Sequence, residues 1–131
     1  MRTLFPRVER ACRSAQQIAE ALSAHPRIAE VLYPGLPTHA GHSVAARQMT
    51  AGFGGMLSVR VAGGAEAAIA AAAKVEVWQR ATSLGGVESL IEHRFSIEGA
   101  DSPAPPDLLR LSAGIEDPTD LLADLDAALG N

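Results

Sequence analysis

The sequence predicts a single domain of the α+β class, built as a two-layer sandwich. Three observations carry this. Residues 28–33, 56–62, 75–81 and 108–112 are short β-branched or alternating apolar stretches that read as strands. Around them run segments whose apolar residues recur every three or four positions, the period of a helix with one buried face. The 131 residues, 47% hydrophobic and 20% charged, suit one packed core and exclude global disorder. Strands this few need helices over one face to enclose a core.

The first helix is expected over residues 3–24. Val8, Cys12, Ala15, Ile18 and Leu22 form its apolar stripe, and Pro6 is tolerated because it falls in the first turn. His25-Pro26 ends it, since a residue before proline avoids helical angles. The strand at 28–33 stops at Pro34-Gly35-Leu36-Pro37. A helix over 40–49 follows, with Val44, Ala45 and Met49 as its stripe, and then a turn at Gly52-Phe53-Gly54-Gly55. In the strand at 56–62, Met56, Ser58 and Arg60 alternate with Leu57, Val59 and Val61. Gly63-Gly64 turns the chain into an alanine-rich helix over 65–74, which Ile69 is expected to anchor on the core.

A third strand is expected at 75–81, then a polar turn at Thr82-Ser83-Leu84-Gly85-Gly86. Residues 87–91 fit a short strand or a helical turn. Gly99, Pro103, Pro105 and Pro106 mark 98–107 as a loop, and 108–112 is the fourth strand. The last helix is the best signposted. Asp117 is its N-cap, Pro118 its first residue, Leu121, Leu122, Leu125 and Leu129 its stripe, and Gly130 its exit.

Composition excludes several functions. Eleven Lys and Arg against fifteen Asp and Glu give a formal charge of −4, unlike the basic excess of a general nucleic-acid binder. Cys12 is the only cysteine, so neither an intrachain disulfide nor a thiolate metal cluster forms. No stretch approaches the roughly 20 apolar residues of a membrane span, and the arginine-rich start lacks a signal-peptide core. A cytoplasmic protein is expected. Lys74 is the only lysine, so a mechanism needing a lysine nucleophile must use it or borrow one; at a helix end, its charge suits the dipole.

A few residues invite chemistry. His39 and His42 would share a face of a helix, as a metal pair or as a solvated helix entry. His25 and His93 read as surface or capping residues. The turn at Ser83-Leu84-Gly85-Gly86 either cradles an anion with its amides or simply connects two elements. Glu88 and Glu92, four apart, are a paired-acid site or a solvated face. Arg110 shares a strand face with Leu108 and Ser112. There it either meets solvent or points into a cleft, where its planar fork takes a carboxylate through two hydrogen bonds.

Several stretches together resemble the pyridoxal-phosphate-dependent enzymes of cysteine and methionine metabolism, which include cystathionine gamma-synthase and the cystathionine lyases. They are Val8-Glu9-Arg10, Ala19-Glu20-Ala21-Leu22, His25-Pro26, Val31-Leu32-Tyr33-Pro34-Gly35-Leu36-Pro37 and Ala46-Arg47-Gln48-Met49. Gly52-Phe53-Gly54-Gly55-Met56-Leu57-Ser58, Ser83-Leu84-Gly85-Gly86-Val87-Glu88-Ser89-Leu90-Ile91 and Leu109-Arg110-Leu111-Ser112-Ala113-Gly114-Ile115-Glu116-Asp117 complete the series in family order.

The resemblance is to the C-terminal small domain of such an enzyme, which implies a small, mainly antiparallel sheet of about four strands with helices on one face. It implies that Arg110 pairs with the α-carboxylate of a sulfur amino-acid substrate. Ser83 matches a position whose backbone contributes to that pocket, and Thr82 one that bears on substrate choice. Threonine stands there where several cystathionine-cleaving members carry an acid, and Ser96-Ile97-Glu98-Gly99 replaces a Met-Thr-His stretch. Lyase and synthase are therefore not separated.

The family's imine lysine follows a Ser-x-Thr pattern that this chain lacks. No catalytic, cofactor-binding or metal-binding residue is thus expected in this chain, which looks like an excised or separately encoded piece. Pyridoxal phosphate belongs to the full-length family and is not expected on this chain alone. The implied partners are the cofactor-binding large domain or a full-length homologue, and further copies in a homo-oligomer, with neither nucleic acid nor membrane. The alternative is a non-enzymatic truncated module that associates with itself or with a full-length relative.

Overall fold

The computed structural model describes residues 2–130. Five strands and five helices follow one another as α1 (Leu4–Leu22), β1 (Ile28–Leu32), α2 (His42–Gln48), β2 (Met56–Val61), α3 (Gly64–Lys74), β3 (Gln79–Arg80), β4 (Leu90–His93), α4 (Arg94–Glu98), β5 (Leu108–Ser112) and α5 (Pro118–Leu129). The strands form one sheet in the order β1-β2-β5-β4-β3. Every pairing is antiparallel except β3 with β4. The α+β sandwich expected from the sequence is therefore present, with a fifth strand and one parallel pair added.

One face of the sheet is the core face. Leu57, Val59, Val61, Ile91, Leu109 and Leu111 are buried there with α1, α3 and α5 residues. The alternation in β2 is clean, with Leu57, Val59 and Val61 buried and Met56, Ser58 and Arg60 half-buried. α5 starts as its sequence dictates: Pro118 is in its first turn and the Asp117 carboxylate accepts from Thr119 N. The Thr119 hydroxyl, which also donates to that carboxylate, then the amide bond and the nearby Arg10 charge hold Asp117 below the usual carboxylate range.

Several sequence expectations need correction. Ile69 is 47% exposed and does not anchor α3. Ala68, Ala71 and Ala72 are buried instead, because small side chains let this helix come close to its neighbours. Val44 and Met49 are exposed, leaving Ala45 as the buried residue of α2. Val8 is exposed too, so the stripe of α1 reaches the core only from Cys12 onward.

The expected strand at 75–81 shrinks to two residues. The reason lies in α5: the Asp124 carboxylate accepts from the amides of Glu76, Val77 and Trp78 at 2.8–3.0 Å. Three consecutive N–H groups turned to one carboxylate cannot serve a strand ladder. Trp78 is buried in the core, and its indole N–H donates to Leu121 O. The region 87–91 resolves into bends followed by β4, and α4 ends at Glu98, the first residue of the expected loop.

Among the described residues, no helix is long and apolar enough to cross a membrane.

Candidate functional site

The outer face of the sheet, opposite the helical layer, carries the polar residues. Antiparallel register places Ser58 of β2, Arg110 of β5 and Glu92 of β4 side by side across it. Glu30 and Arg60 are likewise paired on β1 and β2. Arg110 thus faces away from the core, as the strand parity of its leucine neighbours requires.

The two arginines of this face are held differently. Arg60 is filled: its Nε and Nη2 donate to the two oxygens of Asp107 at 3.0 and 3.1 Å, and Glu30 lies 3.7 Å from Nη1. These contacts raise the Arg60 pKa further, Asp107 hydrogen bonding being the largest cause. Arg110 is held by one nitrogen. Its Nη2 donates to Thr82 O at 2.6 Å and Ser83 O at 3.2 Å, and lies 2.6 Å from Glu92 Oε2 without an aligned hydrogen bond. Nη1 and Nε make no hydrogen bond to any described residue. Thr82, Ser83 and Arg110, named from the sequence, therefore meet in one cluster, through the backbone carbonyls of the first two.

The cluster is assembled by two segments clamped together. Ser89 N and Oγ both donate to the Glu116 carboxylate at 2.7 Å, and Gly114 N donates to Ser89 Oγ at 2.8 Å. Ile115 N donates to Val87 O, and Gly85 N to Ser112 Oγ. Gly114 permits this approach: a Cβ there would stand 2.2 Å from Val87 O. The stretches 83–91 and 109–117 are thus one unit, and it lays the 82–83 backbone over Arg110.

A cavity of about 350 Å³ opens beyond the short β3 edge, between α3, β4 and α4. Thr82 and Glu92 line it, with Ile69, Ile91 and Ile97 supplying apolar walls. Arg110 itself does not line it, but two of its partners do. A smaller groove of about 120 Å³ lies at the other side of the 82–88 segment, between Leu4, Val8, Met56 and Leu84.

The other candidates separate. Glu88 lies in a bend and Glu92 in β4, so they do not share a helical face as paired acids. His39 precedes α2, and its Nδ1 accepts from Gly41 N, while His42 Nδ1 turns to Pro34 O. Among the described residues no group of three or more His, Cys, Asp or Glu is arranged to hold a metal. His25 caps locally, accepting from Arg27 N, and meets Asp126 at 2.9 Å. His93 is buried rather than superficial, bridging Ser96 Oγ and Pro106 O. Because Pro106 O only accepts, Nε2 carries a proton. Sequence reasoning missed Glu92, Asp124 and Glu116 as anchors. The strand parity shared by Arg110 and a charged residue on a neighbouring strand was the one available signal for Glu92.

Fold and cluster together describe a small α+β domain that presents a partly unpaired arginine on an open sheet face. The chain belongs to the Cys/Met metabolism PLP-dependent enzyme family, which it matches over residues 1–130. It is 53% identical to a cystathionine gamma-synthase of Mycobacterium tuberculosis, over 99% of this chain and 34% of the relative. It is 42% identical to a cystathionine beta-lyase of Coxiella burnetii, over 98% of this chain and 35% of the relative. The crystal structure of metB from Corynebacterium glutamicum superposes with a TM-score of 0.91 at 51% identity, covering 97% of this chain and 34% of that one. The chain thus spans about a third of the length of the curated relatives it matches.

The residues present do not fit the family's cofactor. Lys74, the only lysine, is the exposed last residue of α3. The concavity it borders is lined by Glu76, Glu116, Asp120 and Asp124. Those carboxylates would repel the phosphate of pyridoxal phosphate.

Proposed function

We propose that this chain is the domain that grips the α-carboxylate of a sulfur amino acid in a pyridoxal-phosphate-dependent transsulfuration enzyme, acting only beside a cofactor-holding domain. The carrying observation is the half-committed Arg110. Its Nη2 is fixed by the chain, whereas Nη1 and Nε have no partner among the described residues. A guanidinium so held offers a free N–H on Nη1 or Nε to a carboxylate oxygen without first breaking an ion pair, as Arg60 would have to. Ser83 and Thr82 position that guanidinium, and Thr82, at the cavity wall, bears on which substrate side chain is accepted.

The large domain supplies the cofactor and the lysine joined to it, since Lys74 is unsuited to that role. The cofactor's chemistry is that of an electron sink for the substrate carbanion. Exposed Leu4, Phe5 and Val8 on α1, with Leu84 and Val87 on the adjoining segment, supply an apolar surface suited to a covering domain or a further copy.

The test is a hybrid in which this chain replaces the C-terminal third of the mycobacterial cystathionine gamma-synthase. Turnover is expected, and Arg110→Ala should lower kcat/KM by roughly 100-fold through loss of a charge-assisted pair. The isolated chain mixed with pyridoxal phosphate should show no imine absorbance. An active hybrid indifferent to Arg110→Ala sinks the carboxylate role. A folded, cofactor-loaded but inactive hybrid favours the non-enzymatic module instead.

A further inference from the structure

Arg110 faces a difficulty in its role as carboxylate binder. Glu92 lies directly opposite it across the β4–β5 ladder, with its side chain only 3% exposed. A carboxylate so placed would ordinarily close on the guanidinium through both oxygens and take a donor that a ligand needs. Asp107 does this to Arg60 on the same sheet face. Glu92 does not. Only its Oε2 meets Arg110, at Nη2, while its Oε1 accepts from Arg94 Nη1 at 3.0 Å. Arg94 is held in turn by Glu98, one turn along α4. The result is a chain of alternating charges, Arg110–Glu92–Arg94–Glu98, running from the sheet face into α4. Nη2 also donates to the Thr82 and Ser83 carbonyls, so its two protons are taken, Glu92 Oε2 holds it by charge at 2.6 Å rather than by a third hydrogen bond, and the nitrogen has nothing left for a ligand.

We infer that Glu92 is a positioning residue that fixes the Arg110 guanidinium through Nη2, and that Arg94, by occupying Glu92 Oε1, keeps Nη1 and Nε unblocked, so that one of them can donate to a substrate carboxylate oxygen. This deepens the function proposed above and rests on it for the identity of the ligand, but the Arg94–Glu92–Arg110 linkage is testable without any ligand.

The first readout is guanidinium rotation in the ¹⁵N-labelled 131-residue chain. Wild type should show hindered rotation of the Arg110 Nη groups, and Glu92→Gln, folded by its amide spectrum, should speed it by about tenfold or more. Arg94→Met releases Glu92 Oε1 to close on Arg110 and should slow the rotation further. Its side chain is 27% exposed, so this variant carries the test if Glu92→Gln does not fold.

In the hybrid enzyme Arg94→Met should raise KM for the amino-acid substrate by about fivefold or more at near-constant kcat, and Glu92→Gln added to it should cancel the slowing of rotation. Unchanged rotation in folded Glu92→Gln, or unchanged rotation and KM in Arg94→Met, overturns the inference. If rotation responds as expected but Arg110→Ala leaves the hybrid's KM intact, the linkage stands and the carboxylate reading falls.

Discussion

The two faces of the one sheet obey different rules, and β5 shows both in five residues. Leu109 and Leu111 are buried at 1% and 0% exposure under the helices. Arg110 between them stands on the opposite face, held by the Thr82 and Ser83 carbonyls and the Glu92 carboxylate. On the helical side, stability comes from apolar area withdrawn from water and is spread over many side chains. On the open side, buried polar groups are tolerated only because each has a specific partner, so Glu92 needs its arginines. The helical face therefore makes the fold, and the open face is where a ligand-binding arrangement can be kept without a helix covering it.

That contrast is most easily broken by emptying the helical face. Leu111→Ala should cost about 2–5 kcal/mol, read from urea unfolding at constant m. The anchor that ties α5 to the 76–78 backbone comes next. Asp124→Ala leaves three amides without their acceptor and should cost about 1–3 kcal/mol, with a red-shift of Trp78 emission as its packing loosens and water gains access.

A third test uses pH. Tyr33 is fully buried, its hydroxyl donating to Gly54 O, and burial, helped by Cys12 and Glu20, pushes its pKa up to about 12 from 10.0. The folded chain thus keeps that proton where the unfolded chain releases it. The Tyr33 contribution is whole below pH 10 and falls as the pH climbs from 10 toward 12. Tyr33→Phe should cost about 1 kcal/mol at neutral pH and show a flatter loss of stability than wild type across that alkaline window. The smallest effect belongs to the open face. Ser58→Ala, beside Arg110 in the register, should shift stability by no more than about 0.5 kcal/mol. A loss as large as that of Leu111→Ala would end the distinction between the faces.

Much of this architecture was legible beforehand. The alternation in β2, the whole of β5, the span of α1 and the Asp117-Pro118 start of α5 follow from patterns within a few residues. The series of motifs also pointed to the family, and the three residues singled out by it, Arg110, Ser83 and Thr82, lie in one cluster. The misses share a cause. Ile69 looked like an anchor because isoleucine is apolar, yet the spacing between α3 and its neighbours favoured the alanines. Residues 75–81 looked extended, yet Asp124, some 46 to 48 positions away, claimed their amides. Glu88 and Glu92 read as a paired-acid site or a solvated helical face, yet Glu92 is buried in β4 opposite Arg110.

The sequence by itself determined where the chain coils or extends and which residues of each strand share a face, because those depend on neighbours two to four positions apart. Only the tertiary structure decided which carboxylate meets which arginine, why Arg60 is saturated while Arg110 keeps donors free, and how Gly114 lets two distant segments touch. Those outcomes arise from strand register and close backbone approach between residues far apart in the chain, and no local pattern encodes them.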